Sequence, residues 1–148
     1  MLWLAVHWDA AEPPPLPEPL PAVLVPYVDG LATREGDFAL VAEEDGEAVG
    51  AAWYRLLSGD EPGYGFVSAD VPELSVAVLA SRRGGGIGSA LLDRLVESAR
   101  GDGRPGLSLS ARGRNPARML YARMGFAEVG AVDDSLTMLL RFSPPRLG

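Results

Sequence analysis

The stretch of this sequence whose residue types and spacing point most directly to chemistry is Arg83-Gly84-Gly85-Gly86-Ile87-Gly88. A glycine-rich turn that opens a helix lets backbone N–H groups approach an anion, and the unpaired amides of the first helical turn favour negative charge. Phosphate binding is therefore the predicted chemistry. What the chain lacks narrows the choice. It has no lysine, so it cannot build the Walker loop, and Leu91 stands where the dinucleotide fingerprint requires a third Gly or Ala. It also has no cysteine and a single histidine, His7. Disulfides, a thiol nucleophile, a zinc ribbon and a Schiff-base lysine are thereby excluded. Glycines at a helix start also serve tight packing, so the loop alone does not select its guest.

Periodicity predicts the elements that must hold this loop. Leu74, Val76 and Val78 alternate as a strand that runs into Ser81-Arg82-Arg83 and the glycines. Ile87, Leu91, Leu95 and Ala99 then recur at helical spacing up to Gly101. Leu107 and Leu109 mark the next strand. Asn115-Pro116 predicts a second helix, since Asn caps well and Pro suits the first helical position; Ala117, Leu120, Tyr121 and Met124 share its face and Gly125 closes it. Phe126 to Val129 and Leu136 to Phe142 read as closing strands, the second with Leu136, Met138, Leu140 and Phe142 inward.

Upstream, Phe38, Leu40 and Ala42, then Val49, Ala51 and Trp53, keep a period of two around Asp45-Gly46, the positive-φ pair of a two-residue hairpin. Residues 58 to 72, rich in Gly, Pro and acids, read as a long loop carrying two exposed aromatics, Tyr64 and Phe66. Leu2 to His7 reads as a first strand. The prolines between 11 and 21 form a stiff connector, and Ala22 to Leu31 a short helix weakened by Pro26. The expected fold is α/β, a mixed central β-sheet flanked by helices, in one domain over residues 1–148.

Composition sets the outer limits. Apolar residues make up 47% and charged residues 22% of the 148, which suits a soluble globular chain rather than a disordered one. The net charge is −7 and all 13 positive charges are scattered arginines, so no nucleic-acid partner is expected and a cationic substrate suits the surface better. No apolar run nears the roughly 20 residues that span a bilayer. The apolar start, Met1 to Trp8, lacks the basic region and cleavage site of a signal peptide. The expectation is a cytoplasmic protein with no membrane partner, for which a homodimer remains open.

A second stretch lies downstream, Asn115-Pro116-Ala117-Arg118-Met119-Leu120-Tyr121-Ala122-Arg123-Met124-Gly125-Phe126. Together with Arg83-x-x-Gly86-x-Gly88 it resembles the GNAT superfamily, the GCN5-related N-acetyltransferases, over about residues 73 to 130. The proline-rich start departs from the family pattern on the side where the acceptor is usually shaped. The resemblance implies the GNAT acyl-CoA N-acyltransferase fold. It also implies that Arg83, Gly84, Gly85, Gly86, Ile87, Gly88 and Ser89 hold the coenzyme A pyrophosphate. The backbone of Val76 and Val78 would receive the pantetheine arm as an added strand, their side chains belonging to the core.

The roles of single side chains follow from the same resemblance. Tyr121 is implied as the acid that protonates the departing sulfur, against its reading as a helix-face core aromatic. Asn115, the one asparagine, is implied to contact the coenzyme, although an Asn before Pro is also what a helix cap requires. Arg118 is a candidate for the phosphates, or a solvated surface arginine. Glu73 is the candidate base, acting directly or through water, because an amine with a pKa near 10 is mostly protonated at pH 7; a strand-end surface carboxylate is the alternative. His7 fits a structural role better. Tyr64 and Phe66, with Asp60, Glu61 and Asp70 nearby, are candidates for the acceptor pocket.

The implied function is transfer of the acetyl group from acetyl-CoA to a small-molecule or peptide primary amine, by direct attack in a ternary complex and without a metal. A catalytically idle acyl-CoA-binding regulatory module is the alternative. A protein using the loop for ATP or a dinucleotide is a third reading.

Overall fold

A computed structural model describes residues 35–57 and 64–143. The expected first strand, the proline-rich connector, the helix over 22–31 and the first part of the long loop lie outside the described residues, as do His7, Asp60 and Glu61. Within them the chain order is β1 (Phe38–Glu44), β2 (Glu47–Arg55), β3 (Glu73–Val78), α1 (Ile87–Gly101), β4 (Gly106–Arg112), α2 (Ala117–Met124), β5 (Ala127–Val132) and β6 (Ser135–Arg141), with one 3-10 turn at Ala80–Arg82 before α1.

The strands form a six-stranded sheet in the order β1-β2-β3-β4-β6-β5. Neighbours are antiparallel except β3 and β4, which run parallel. The β1–β2 hairpin closes as its residues predict, on Asp45 at φ 53° and Gly46 at φ 82°.

Helix α1 buries Leu91, Leu92, Leu95 and Ala99, and Tyr54 of β2 donates to or accepts from Ser98 on that helix at 2.9 Å. Tyr121 of α2 joins the same apolar cluster, with Ala52, Tyr54, Leu74, Leu107, Leu109, Met138 and Leu140 from the strands. Both helices thus contribute to the core on one face of the sheet.

The second face of the central strands is buried as well. Phe38, Leu40 and Ala42 pair with Tyr54, Ala52 and Gly50 and pack toward α1, so Val49, Ala51 and Trp53 point to the opposite face. Period two in β2 therefore marks two buried faces rather than one, and its last seven residues are all buried. Strand β5 runs on to Val132 instead of stopping at Val129. It is exposed along its whole length, so no alternation of burial marks its end.

Candidate active site

The parallel strands β3 and β4 pair at one position only, Glu73 with Ser108, where the Ser108 N–H donates to the Pro72 carbonyl at 3.0 Å. Beyond it the strands part. On the other side of β3, the Leu79 N–H donates to the Val49 carbonyl at 2.9 Å, which sets the phase of the β2–β3 ladder. In that phase Glu73, Ser75 and Ala77 exchange hydrogen bonds with β2, while Leu74, Val76 and Val78 turn theirs toward β4. The backbone groups of Val76 and Val78 therefore face the opening, as the expected strand addition requires. The side chains of both pack partly against the core.

The opening leads to the glycine loop. Gly84 and Gly86 sit at φ +83° and +87°, a region that side-chain-bearing residues rarely enter, and the turn aims the chain into α1. Among the described residues no side chain caps the start of α1, and its first turn holds no acid. The amides of Ile87, Gly88 and Ser89 are thus left to point out of the helix. Among the described residues, a Cβ placed on Gly84 or Gly86 meets nothing within 4 Å, and one on Gly88 meets only Val78 Cγ2 at 3.8 Å. Arg83 is exposed and its Nε donates to the Val78 carbonyl at 3.2 Å, tying the loop to the end of β3.

Helix α2 brings the second stretch to the same region. Tyr121 is 6% exposed, its ring edge-on to Phe126 at 6.0 Å. Burial alone raises its pKa, to about 12. Asn115 caps the helix, its Oδ1 accepting the Ala117 N–H at 2.9 Å. Arg118 is held locally: its Nη2 donates to Glu128 Oε1 at 2.8 Å and its Nη1 to the Gly113 carbonyl.

The model of the acetyltransferase (GNAT) family matches residues 3–126. The chain belongs to this family. Among solved structures, a ribosomal-protein-alanine N-acetyltransferase from Brucella melitensis is 35% identical over 70% of this chain and 68% of its own, with a TM-score of 0.58. An N-acetyltransferase from Staphylococcus aureus Mu50 is 25% identical over 71% and 67%, with a TM-score of 0.60. A GNAT acetyltransferase from Brucella melitensis, solved with acetyl-CoA, is 29% identical over 74% and 60%, with a TM-score of 0.52. No curated protein matches the chain.

In this GNAT chain the face of the sheet away from both helices carries a polar row that periodicity did not mark. Arg55 and Glu73 are paired across β2 and β3, and Glu73 and Ser108 across β3 and β4. Arg55 forms a two-pronged ion pair with Asp37, Nη2 to Oδ2 at 3.0 Å and Nε to Oδ1 at 3.3 Å, both side chains being 1% exposed. Glu73 is 2% exposed and Ser108 fully buried. Glu73 is thus an interior carboxylate at the vertex of the opening rather than a strand-end surface charge. An arginine ending a strand looks like any solvated cation until register places it between two carboxylates.

Proposed function

We propose that this chain moves the acetyl group of acetyl-CoA to a primary amine by direct attack in a ternary complex, and that a peptide with N-terminal alanine is the first acceptor to try. The observation that carries this reading is the opening of β3 from β4 after the Glu73–Ser108 pair, leading straight to the uncapped start of α1. A chain of amides entering there meets the backbone of Val76 and Val78 as a new strand neighbour. A pyrophosphate then falls on the amides of the glycine loop and α1. Gly88 supports the same guest: it lies inside a helix, where glycine costs up to about 1 kcal/mol relative to alanine, yet among the described residues the nearest atom that its absent Cβ would meet outside its own helix turn is 3.8 Å away. The alanine N-acetyltransferase at 35% identity motivates the choice of acceptor.

In this scheme the amine nitrogen attacks the thioester carbon, the C–S bond breaks, and the sulfur leaves with the electron pair. Tyr121, with its pKa at about 12, stays protonated at neutral pH. Full transfer of its proton to a thiolate of pKa about 8.5 runs uphill by about 5 kcal/mol, so the phenol serves as a hydrogen-bond donor to the developing thiolate. Glu73 takes the proton that the attacking amine sheds, directly or through a water. The absence of cysteine from the chain suits direct attack.

Two measurements test this. In a thermal-shift panel, acetyl-CoA at 100-fold over its dissociation constant stabilises the chain by about 2.7 kcal/mol and ATP or NAD does not; protection by the nucleotides alone refutes the reading. A thiol-release assay over an alanine-initiated peptide, a diamine, a free amino acid and an aminoglycoside then finds turnover. Protection by acetyl-CoA with no thiol release from any amine points to the idle acyl-CoA module instead.

A further inference from the structure

The segment from Tyr64 to Pro72 is pinned at both ends onto the sheet face that carries the polar row. At its start the backbone of Gly65 lies so close to β4 that a Cβ there would sit 2.5 Å from Leu109 C and 2.8 Å from Ser110 N. The Thr137 hydroxyl donates to the Tyr64 carbonyl at 3.3 Å, and Thr137 pairs with Ser110 in the β4–β6 register. Thr137 and Ser110 therefore share a face, and it is the face of Ser108 and Glu73, away from α1 and α2. At its far end Val71 and Pro72 are buried, and the Pro72 carbonyl accepts a backbone bond from the Ser108 N–H at the vertex. At the first of these pins Tyr64 is 39% exposed.

We infer that Tyr64, held in place by Gly65, is a specificity residue that contacts the substituent borne by the acceptor amine. The inference rests on the function proposed above and extends it to the second substrate. With the thioester in the opening, the helix side is filled by the apolar cluster around Leu109 and Tyr121. The amine must then reach the carbonyl carbon from the other face, where Glu73 lies. Ser110 is two residues along β4 from Ser108, about 7 Å, so the Tyr64–Gly65 backbone borders the path of attack. A phenol ring there offers a flat apolar surface and one hydroxyl, which suits a peptide or an aliphatic amine better than a bare ammonium.

Steady-state kinetics of the full chain with an alanine-initiated peptide and acetyl-CoA, varied separately, test this with Tyr64→Ala, Tyr64→Phe and Gly65→Ala. Tyr64→Ala is expected to raise KM for the peptide about fivefold, the loss of one aromatic contact, with KM for acetyl-CoA unchanged; Tyr64→Phe recovers most of the loss. Gly65→Ala must lift the loop from β4, so it raises the peptide KM further and lowers the melting temperature. If Gly65→Ala does not fold, the two Tyr64 variants decide. Unchanged peptide KM in Tyr64→Ala overturns the inference, as does an equal rise in both KM values. Absence of turnover by the unaltered chain with every amine overturns the proposed function instead, and this inference with it.

Discussion

Replacing Tyr121 by phenylalanine tests the placement of that side chain without presupposing any acceptor. Its phenol pKa is raised from 10.0 to about 12 by burial, so between those values the unfolded chain ionises at this position and the folded chain does not. A raised folded-state pKa means that the stability is fully present below pH 10 and is lost as pH climbs toward 12. At pH 11 the loss comes to about 1.4 kcal/mol, and it approaches about 2.7 kcal/mol above pH 12. Tyr121→Phe cannot ionise and escapes this loss. With a urea slope of about 2 kcal/mol/M, the unaltered chain should lose about 0.7 M more in unfolding midpoint than the variant between pH 8 and pH 11. Tyr54, whose pKa is also raised, chiefly by burial, is present in both chains and drops out of the comparison. Midpoints that fall in parallel would refute the burial argument. The same variant reports on chemistry: acetyl-CoA protection is expected to persist while thiol release slows by about a hundredfold.

Three further outcomes are expected. Arg55→Met leaves Asp37 as an interior carboxylate without its two-pronged cation, which should cost about 3–5 kcal/mol in urea unfolding; Arg55→Met combined with Asp37→Leu should restore much of it, and failure to do so would deny that the pair acts as a unit. Gly88→Ala should keep or raise stability without ligand, by up to about 1 kcal/mol, since among the described residues only Val78 Cγ2 lies near, at 3.8 Å, while weakening acetyl-CoA protection; unaltered protection would place the pyrophosphate elsewhere. Glu73→Gln should slow peptide acetylation by about a hundredfold at neutral pH and recover as pH rises through the amine's own pKa, about 8 for a peptide N-terminus. A constant ratio across pH would leave Glu73 a structural role only.

What sequence showed and what it hid have physical reasons. The hairpin turn, the glycine loop, the α1 stripe and the Asn115 cap are local: each depends on residues a few positions apart, whose φ preference or spacing is visible in the chain. Leu92, adjacent to the predicted stripe, is buried because α1 packs across four strands and its apolar face is wider than one row. The polar row is of another kind. Asp37, Arg55, Glu73 and Ser108 come from four separate segments, and only register across the sheet sets them side by side. Gly65 behaves likewise, since the reason for a glycine there is the backbone of β4. Local signals thus marked the side proposed for the coenzyme and named Glu73 and Tyr64 as candidates, while only long-range register showed that Glu73 is interior and which groups stand beside it.

That division also orders the chemistry. The groups proposed for the coenzyme, from Val76 to Ser89 and on α2, border the opening from its edge and from the helix face. The candidate base and the Tyr64 loop stand on the opposite face. A thioester lying in the gap between β3 and β4 would then have the candidate proton acceptor on one face of the sheet and a hydrogen-bond donor on the other. In the proposed reaction the proton shed by nitrogen would leave toward Glu73, while the charge gathering on sulfur would be met by the Tyr121 hydroxyl, and neither route crosses the other. A single parallel pair at Glu73–Ser108 makes this arrangement possible: strands paired along their full length would have no space between them, and strands unpaired throughout would not hold Glu73 at the vertex.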